Sequence, residues 1–397
     1  MRGHKYTNKK KISTGEPDSF AVEDLLSQAD RVIGIIIENN TLSDIQIKKL
    51  LVLKDDIETN ASIEKLKQGE DKEEWNKILD LENSHTWLDD FHHGLRISYF
   101  HRLLLEKIDY FKTHKDPYLA LKQSALNNFI NVISNKNIGN FNIDEILDGM
   151  LWGNKFDLVP PTISDRKELI CDERELLKRY LGTEQVNRID ILADNAGQEL
   201  FFDLLFACHV LDNKLAKKVN FHLKNYPYNV SDATKEDLFH LIEILILSNF
   251  GELQKIGLKI KKYLLNRKIN TISYPFTTLG YDRIGSINIS KKYYHRSSLI
   301  ITKGDFNYRK NIGWFYWEMS DNIGEAISYL KSPLLCLRTV KNEVLIGVSD
   351  VAKVEGMSKE DPEWWKKGIG GMISFQYPSH NQEIEYEKIN PYWEKIK

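Results

Sequence analysis

The pattern of apolar residues changes near residue 188, and this change constrains the fold more than any other feature of the chain. Residues 1–187 carry apolar side chains at the spacing of amphipathic helices, most clearly over Phe91–Phe111. Beyond residue 188, short apolar runs typical of buried strands alternate with helical segments. We therefore predict a mainly helical N-terminal region over 1–187 and an α/β domain over 188–397 with a largely parallel sheet.

The individual elements follow from the same periodicities. In the first region, the predicted helices besides Phe91–Phe111 are Phe20–Glu38, Thr41–Leu53, Ser62–Leu81, Tyr118–Ser134, Ile143–Leu151 and Arg174–Tyr180. In the second region, the predicted strands are Arg188–Asp194, Lys218–Leu223, Ser298–Thr302, Leu334–Thr339, Val344–Val348 and Ile373–Tyr377, with helices from Gly197 and over Leu238–Phe250. Ligands of such sheets bind at the carboxyl ends of the strands, so polar residues that follow strands are the candidates for function.

Composition excludes several classes of protein. The 397 residues have a formal net charge of −2, which gives no overall attraction to nucleic acid or anionic lipid. The three cysteines (Cys171, Cys208 and Cys336) are too few and too scattered for a disulfide framework or a zinc cluster, so we expect a reducing, cytoplasmic setting. We expect no secretory leader and no membrane span, because no apolar run is long enough.

Asp194 and Asn195 end a predicted strand and stand directly before a helix. Their side chains offer hard oxygen donors that suit Mg²⁺ or Mn²⁺. The helix N-terminus offers free N–H groups to a phosphate, and Gly197 would let the backbone approach a ligand closely. The alternative is a purely local role as an Asx-turn and helix N-cap, since Asp and Asn favour both positions.

Asp232 follows the next predicted strand and could supply a further carboxylate to a metal. The alternative is that this segment only caps the helix that begins near Lys235. Thr234 and Asp237 have the spacing of a capping box, which supports the local alternative.

Two further polar segments follow predicted strands. In the segment 303–309, Lys303 and Arg309 could neutralise a phosphate, and Asn307 and Tyr308 could bind hydroxyl groups; a surface turn is the alternative.

In the segment 338–341, Arg338, Thr339 and Lys341 form a possible anion clamp, with a solvated strand end as the alternative. The chain lacks the sequence patterns GxxxxGK[ST], GxSxG and HExxH, so neither a P-loop, a serine-hydrolase elbow nor a zinc-protease helix is indicated.

Taken in order, these segments resemble the metal-dependent damage-control phosphatases. They resemble specifically the sugar-phosphate branch, whose signature is an RTxK motif and some members of which are also named protein-glutamate (acidic-residue) methyltransferases. The similarity covers about residues 150–377. It rests on Trp152-Gly153-Asn154, Asp157-Leu158, Asp194-Asn195 with Gly197 and Glu199, Ser231-Asp232, the run Lys303 to Arg309, Arg338-Thr339-Val340-Lys341, Trp364-Trp365 and Phe375-Gln376-Tyr377.

The resemblance implies a helical N-terminal region packed on a Rossmann-like α/β/α domain. It implies a divalent metal held by Asp194, Asn195 and Asp232, which would also be the catalytic residues. Manganese is the first expectation for that metal, with cobalt, nickel or magnesium as alternatives. Fructose 1-phosphate and fructose 6-phosphate are the type of small-molecule substrate implied. The residues implied in substrate contact are Asp305, Phe306, Asn307, Tyr308, Arg338 and Lys341.

The chain departs from that branch at one place, and alternatives to phosphatase activity stay open. The branch has an acid–aromatic–arginine run in a late helix of its N-terminal region, whereas the run Arg96 to Arg102 lacks the acid. One alternative is an S-adenosylmethionine-dependent protein carboxyl methyltransferase, although no GxGxG loop follows the first predicted strand. The other is a non-catalytic binding module. The nucleophile of hydrolysis is open between a metal-activated water and Asp194, with Glu199 in a supporting role.

Overall fold

The computed structural model describes residues 9–134, 138, 141–153, 168–280, 290–342 and 344–379. Asn154, Asp157 and Leu158, which contribute to the family resemblance, lie outside the described residues. The helices of the first part are α1 (Phe20–Asn39), α2 (Asp44–Glu58), α3 (Lys72–Leu81), α4 (His93–Lys107), α5 (Tyr110–Thr113), α6 (Leu119–Ile133) and α7 (Ile143–Trp152).

The remaining elements alternate between strand and helix over much of their length, as predicted. The strands are β1 (Glu168–Asp172), β2 (Val186–Leu192), β3 (Ala216–Leu223), β4 (Ile269–Ser273), β5 (Leu299–Lys303), β6 (Leu334–Thr339) and β7 (Gly370–Gln376). The helices are α8 (Arg174–Thr183), α9 (Gln198–Asp212), α10 (Lys235–Leu247), α11 (Gly251–Leu265), α12 (Gly304–Ile312), α13 (Ile323–Ala326) and α14 (Val351–Glu360).

Within the described residues, seven strands form one sheet in the order β1-β7-β6-β5-β2-β3-β4. Neighbouring strands pair in parallel except β6 and β7, which are antiparallel. The predicted fold class is confirmed: the protein is an α/β protein with a helical N-terminal region and a mostly parallel, Rossmann-like sheet. The sheet begins with β1, about 20 residues before the predicted boundary at 188, and the division into two domains stays a prediction.

Helices cover both faces of this sheet, because successive strand residues point to opposite sides. On β5, Leu299 and Ile301 pack with α6, α7 and α9–α11 on one side. Ile300, between them, belongs to the core formed with α1–α4 on the other side. Helix α9 is buried almost throughout, and most of its residues are accordingly apolar.

The carboxyl ends of β2, β3 and β5 are adjacent, because these three strands are neighbours in the sheet. The segments that follow them are therefore brought to one edge, as the rule for open α/β sheets predicts. Helix α10, which begins after the β3 loop, starts with the predicted capping box: the Thr234 side chain accepts from the Asp237 N–H, and the Asp237 side chain accepts from the Thr234 N–H.

Several local predictions were wrong. Of the predicted helix Ser62–Leu81 only α3 is helical. Residues 344–348 are not a strand, because their backbone bonds to loops instead: Gly347 N–H donates to Asp321 and Val348 N–H to Met319. The segment 303–309, for which a surface turn was the alternative, forms the end of β5 and the first turns of α12. Helix α11 and strand β4 were not predicted.

Across the residues that the structure describes, no helix combines the length and the apolar character needed to cross a bilayer. Cys171, Cys208 and Cys336 are free and buried.

Candidate functional site

The centre of the site is the loop between β2 and α9. Asp194 and Asn195 are 8% and 3% exposed, so their polar side chains are largely withdrawn from solvent. Gly197 has a positive φ of 75°, a conformation that favours glycine, and α9 begins at the next residue. The chain therefore turns sharply here and leaves both side chains beside the N-terminus of α9.

Asp232 lies against this loop. Asn195 and Asp232 form an isolated antiparallel bridge. Ala233 N–H donates to the carbonyl oxygen of Asp194 at 2.7 Å, and the Ser231 hydroxyl donates to Asn195 Oδ1 at 2.5 Å. The structure thus brings together Asp194, Asn195 and Asp232, the three residues that the sequence analysis assigned to a metal.

The two carboxylates of this centre disfavour each other's ionisation. Burial, then Asp232 and then Glu199 raise the pKa of Asp194 well above its ordinary value. Burial also raises the pKa of Asp232, although the Lys224 ammonium, 3.0 Å from Asp232 Oδ2, works against it. A bound cation would offset this repulsion, so the arrangement fits a metal ion.

The donor set is limited in number. In the described part of the chain, no three His, Cys, Asp or Glu side chains are grouped as they would be around a metal. A metal here would be coordinated by the carboxylates of Asp194 and Asp232 and the amide oxygen of Asn195, which are hard oxygen ligands. Apart from its ion pair with Lys224, Asp232 Oδ2 makes no hydrogen bond of regular geometry within the described structure, so it remains open to a further partner.

Asn195 is held by a buried charge network. Its amide nitrogen donates to Asp194 Oδ2 at 3.0 Å and to Glu199 Oε2 at 2.9 Å. Lys303 donates to Glu199 Oε1 at 2.6 Å and to Asp203 Oδ1 at 2.8 Å. Glu199 therefore supports Asn195, as the sequence suggested. Lys303 has no exposed surface and faces these acids, so it is not the phosphate-binding lysine considered from the sequence.

Gly304 lets α12 approach the centre. Its φ is +73°, and a Cβ at this position would lie 1.8 Å from Asp194 Oδ2. Any other residue would collide with the carboxylate in a backbone conformation that already favours glycine. The N-terminal end of α12 is therefore in direct contact with the predicted metal-binding carboxylate.

The predicted substrate contacts Asp305 and Arg338 pair with each other. Arg338 Nε lies 2.7 Å from Asp305 Oδ1, and Arg309 Nη2 lies 2.9 Å from Asp305 Oδ2. Burial opposes ionisation of Asp305, but these arginines and Lys341 outweigh it and lower its pKa. Asn342, which was not singled out in the sequence, also donates to Asp305.

Asn307 and Tyr308, two other predicted contacts, have partners within the protein. The Asn307 amide nitrogen donates to the carbonyl oxygen of Ala193 at 3.1 Å and ties α12 to the end of β2. The Tyr308 hydroxyl donates to the carbonyl oxygen of Ile346 at 3.3 Å, and the side chain is fully buried.

Lys341 is exposed. Its positive charge adds to the lowering of the Asp305 pKa and partly opposes the raising of the Asp194 pKa, so it is near the two acids.

Phe306 lies between aromatic and basic side chains. Its ring centre is 5.2 Å from that of Tyr228 and 5.9 Å from that of Trp314. The ammonium groups of Lys224 and Lys310 are 5.3 Å and 5.2 Å from the same ring. Neither lysine was predicted from the sequence. Lys224 directly follows a predicted strand and Lys310 is one helical turn after Phe306, so strand ends and helix periodicity could have indicated them.

The divergent run on α4 mostly faces the N-terminal core. Arg96 pairs with Asp89 at 2.5 Å and Arg102 with Asp71 at 2.6 Å, away from the acidic centre. Ser98 faces the other way and lies 3.2 Å from the Tyr228 hydroxyl. Helix α4 thus reaches the surroundings of Phe306 through a residue between the two arginines.

Fold and site together define an α/β protein with a buried acidic centre at the carboxyl ends of a mostly parallel sheet. A family model described as "Damage-control phosphatase ARMT1-like domain" matches residues 21–357. The chain therefore belongs to the damage-control phosphatase ARMT1-like family.

Curated relatives agree with this assignment. Damage-control phosphatase ARMT1 of Danio rerio is 29% identical over 268 residues, which cover 61% of this chain and 59% of the relative. The protein of the same name from Xenopus laevis is 31% identical over 255 residues (58% of each chain), and that from Homo sapiens is 30% identical over 259 residues (59% and 58%). The chain thus spans somewhat less than two thirds of the length of these relatives.

Proposed function

We propose that this protein is a metal-dependent phosphomonoester hydrolase that acts on sugar phosphates of the fructose 1-phosphate or fructose 6-phosphate type, or on related phosphometabolites. The observation that carries the proposal is the meeting of Asp194, Asn195 and Asp232 in one buried centre. Membership of the damage-control phosphatase ARMT1-like family supports the reaction class. The named substrates rest on the sequence resemblance to the sugar-phosphate branch.

Asp194, Asn195 and Asp232 would hold a divalent metal, with manganese the first candidate and cobalt, nickel or magnesium the others. Such an ion supplies charge neutralisation at the phosphoryl oxygens and activation of a nucleophile. The support from this chain is the mutual destabilisation of the two carboxylates and the Asn195–Glu199–Lys303 contacts, which fix the amide.

The protein itself would orient the phosphate. The N–H groups at the start of α9 are directed to the loop that carries Asp194, and an anion is favoured at such a helix end. Lys341, exposed and close to Asp194 and Asp305, would approach the phosphoryl group from the solvent side. Both would stabilise the negative charge of the transition state.

The sugar would bind near Phe306. This side chain lies among Tyr228 and Trp314, and aromatic rings offer flat apolar surfaces to the C–H faces of a sugar. Arg309, buried beside them, has two nitrogens (Nε and Nη1) without a hydrogen-bond partner in the described structure, and these could bind hydroxyl groups. A cytoplasmic location is part of the proposal, and the three free cysteines are compatible with it.

A phosphate-release screen tests the proposal. The full chain is assayed with fructose 1-phosphate, fructose 6-phosphate and other sugar phosphates in Mn²⁺, Co²⁺, Ni²⁺ or Mg²⁺, with EDTA as the control. We expect release that needs a metal and disappears in EDTA. Equal release with and without EDTA, or none with any metal, would contradict the proposal. Tight binding of S-adenosylmethionine without metal would instead favour a methyltransferase.

A further inference from the structure

A buried ion pair joins the N-terminal helical region to the segment that carries Asp232. Lys122 on α6 is 5% exposed. Its ammonium group lies 2.8 Å from Asp237 Oδ2 on α10 and 3.0 Å from Asp116 Oδ2, just before α6. Burial disfavours the charge of Lys122, but the two acids outweigh burial and raise its pKa, so the lysine is held as a cation. One buried charge thus connects α6 to the start of α10.

Asp237, one of the two partners of this lysine, also closes the capping box of α10. Its Oδ2 accepts from the backbone N–H of Thr234 at 2.9 Å and from the Thr234 hydroxyl at 2.8 Å. Lys122 donates to the same oxygen. Three donors therefore meet at one carboxylate oxygen, and a network satisfied in this way is rigid. The position of the cap depends on an atom that the N-terminal region holds.

Only one residue separates this cap from Asp232. Ala233, between Asp232 and Thr234, is fully buried, and its N–H donates to the carbonyl oxygen of Asp194 at 2.7 Å. Its carbonyl oxygen accepts from the Lys224 N–H at 2.9 Å. The segment 232–234 is therefore fixed by the β2–α9 loop on one side and by the capping box on the other. A shift of Thr234 would move the backbone that carries the Asp232 side chain.

We propose that Lys122 is a positioning residue through which the N-terminal helical region sets the place of Asp232 in the metal centre. The inference rests on the proposed function, to which the metal-binding role of Asp232 belongs. Lys122 would act through Asp237 and Thr234, not on the metal or the substrate. Without the ammonium group, the largely buried carboxylates of Asp116 and Asp237 would face each other without a counter-charge. The cap would then lose its fixed acceptor, and Asp232 would be held less precisely.

The rival explanation is that this ion pair only stabilises the fold. A purely structural role predicts that loss of Lys122 lowers the melting temperature but leaves the Mn²⁺ affinity of the folded chain unchanged. A positioning role predicts weaker Mn²⁺ binding as well, because groups that orient metal ligands typically change metal affinity about ten- to a hundredfold. Metal affinity therefore separates the two roles, whereas stability does not.

The test is isothermal titration of the full chain, freed of metal with EDTA and then dialysed, with Mn²⁺. Lys122→Met is compared with Arg96→Met, a control that breaks another buried pair, with Asp89, away from the acidic centre. We expect both variants to melt at lower temperature than the wild type. The Kd for Mn²⁺ should rise about tenfold in Lys122→Met and stay at the wild-type value in Arg96→Met. A wild-type Kd in Lys122→Met would overturn the proposal.

Two further measurements make the outcome decisive. Circular dichroism at the titration temperature checks that each variant is folded. If Lys122→Met is not, Lys122→Gln, which keeps a hydrogen-bond donor but not the charge, is titrated in its place and judged by the same Kd.

A phosphate-release assay separates this proposal from the proposed function. A tenfold weaker Mn²⁺ affinity in Lys122→Met, together with no hydrolysis of sugar phosphates by the wild type, would retain the positioning role and refute the hydrolase. Hydrolysis by the wild type, together with an unchanged Mn²⁺ affinity in Lys122→Met, would refute the positioning role alone. No binding of Mn²⁺ by the wild type would overturn both.

Discussion

Arg338 holds Asp305 with its Nε atom 2.7 Å from Oδ1, and this pair joins the end of β6 to the first turn of α12. The guanidinium also lies over the Tyr308 ring, 4.2 Å from its centre. Arg338, the arginine of the RTxK segment, therefore holds α12 in place. Lys341, three residues later, is exposed. One short motif thus contains a buried structural cation and an accessible one.

Arg338→Lys should destabilise the protein, because an ammonium group cannot reach Asp305, Asn342 and Val344 together. We expect the free energy of unfolding, measured by urea denaturation, to fall by about 2–4 kcal/mol, as for a damaged buried pair. Arg174→Lys is the control, since its partners Asp172 and Asp148 are 38% and 50% exposed and the change should be below about 1 kcal/mol. Equal losses of unfolding free energy in both variants would contradict the structural role of Arg338.

Asp194→Asn and Asp232→Asn should each remove metal-dependent turnover without unfolding the chain. Burial and the charges of Asp232 and Glu199 already disfavour the Asp194 charge, so Asp194→Asn should leave the metal-free melting temperature equal or higher. Asp232→Asn should lower it, because the buried Lys224 loses its ion-pair partner, but the chain should still fold. We expect at least about a hundredfold loss of rate in a phosphate-release assay, the scale for a preorganised electrostatic group.

The matched control for these two variants is Asp144→Asn, whose side chain is 41% exposed on α7. It should keep the wild-type rate. If either of the two site variants turned over as fast as this control, the assignment of Asp194 and Asp232 to a metal would be wrong.

Gly304→Ala should disturb the acidic centre directly. The new Cβ would meet the Asp194 carboxylate, and the φ of +73° would be strained. We expect the free energy of unfolding to fall by about 1–3 kcal/mol. We also expect weaker Mn²⁺ binding, measured by calorimetry. Gly34→Ala on α1, which has no atom within 4 Å of the added carbon, should instead be neutral or stabilising. Unchanged Mn²⁺ affinity in Gly304→Ala would show that α12 does not constrain Asp194.

Asp203 should make stability depend on pH. Burial, followed by the Glu199 charge, raises its pKa from 3.8 to about 7 against the opposing effect of Lys303. The folded state therefore holds this proton more tightly than the unfolded state, so its contribution to stability is full below pH 4 and is lost as the pH rises toward 7. The free energy of unfolding, measured with urea in the presence of EDTA, should decline less between pH 4 and pH 7 in Asp203→Asn than in the wild type. Parallel profiles of variant and wild type would mean that Asp203 is ionised throughout.

The fold was predictable where one periodicity dominated. Helix α1 matches its prediction to within one residue, because its apolar stripe is continuous and Ser19 caps its first turn. Residues 344–348 were misassigned because their apolar character reflects burial, whereas their backbone bonds run to loops. Strand β1 escaped notice because five residues at a sheet edge carry little pattern, and its partner β7 is distant in sequence.

The site was predictable at the strand ends and less so beyond them. The proximity of Asp194 and Asp232 follows from the adjacency of β2 and β3, which strand order implies. The roles of Lys303 and Arg338 could not be read from sequence, because a basic residue at a strand end looks the same whether it faces a ligand or a buried acid. Only the three-dimensional position of Asp203 and Asp305 separates these cases.

The pairing of β1 with β7 also governs when the sheet can be completed. Cys171 on β1 and Ile373 on β7 are 202 residues apart in sequence, and β7 in turn closes the exposed edge of β6. During synthesis, the strands from β2 to β6 can pair with one another, whereas β1 stays unpaired until β7 has been made. Until β7 has been synthesised and has paired, both β1 and β6 present unpaired backbone groups, so these two edges expose the nascent chain to aggregation.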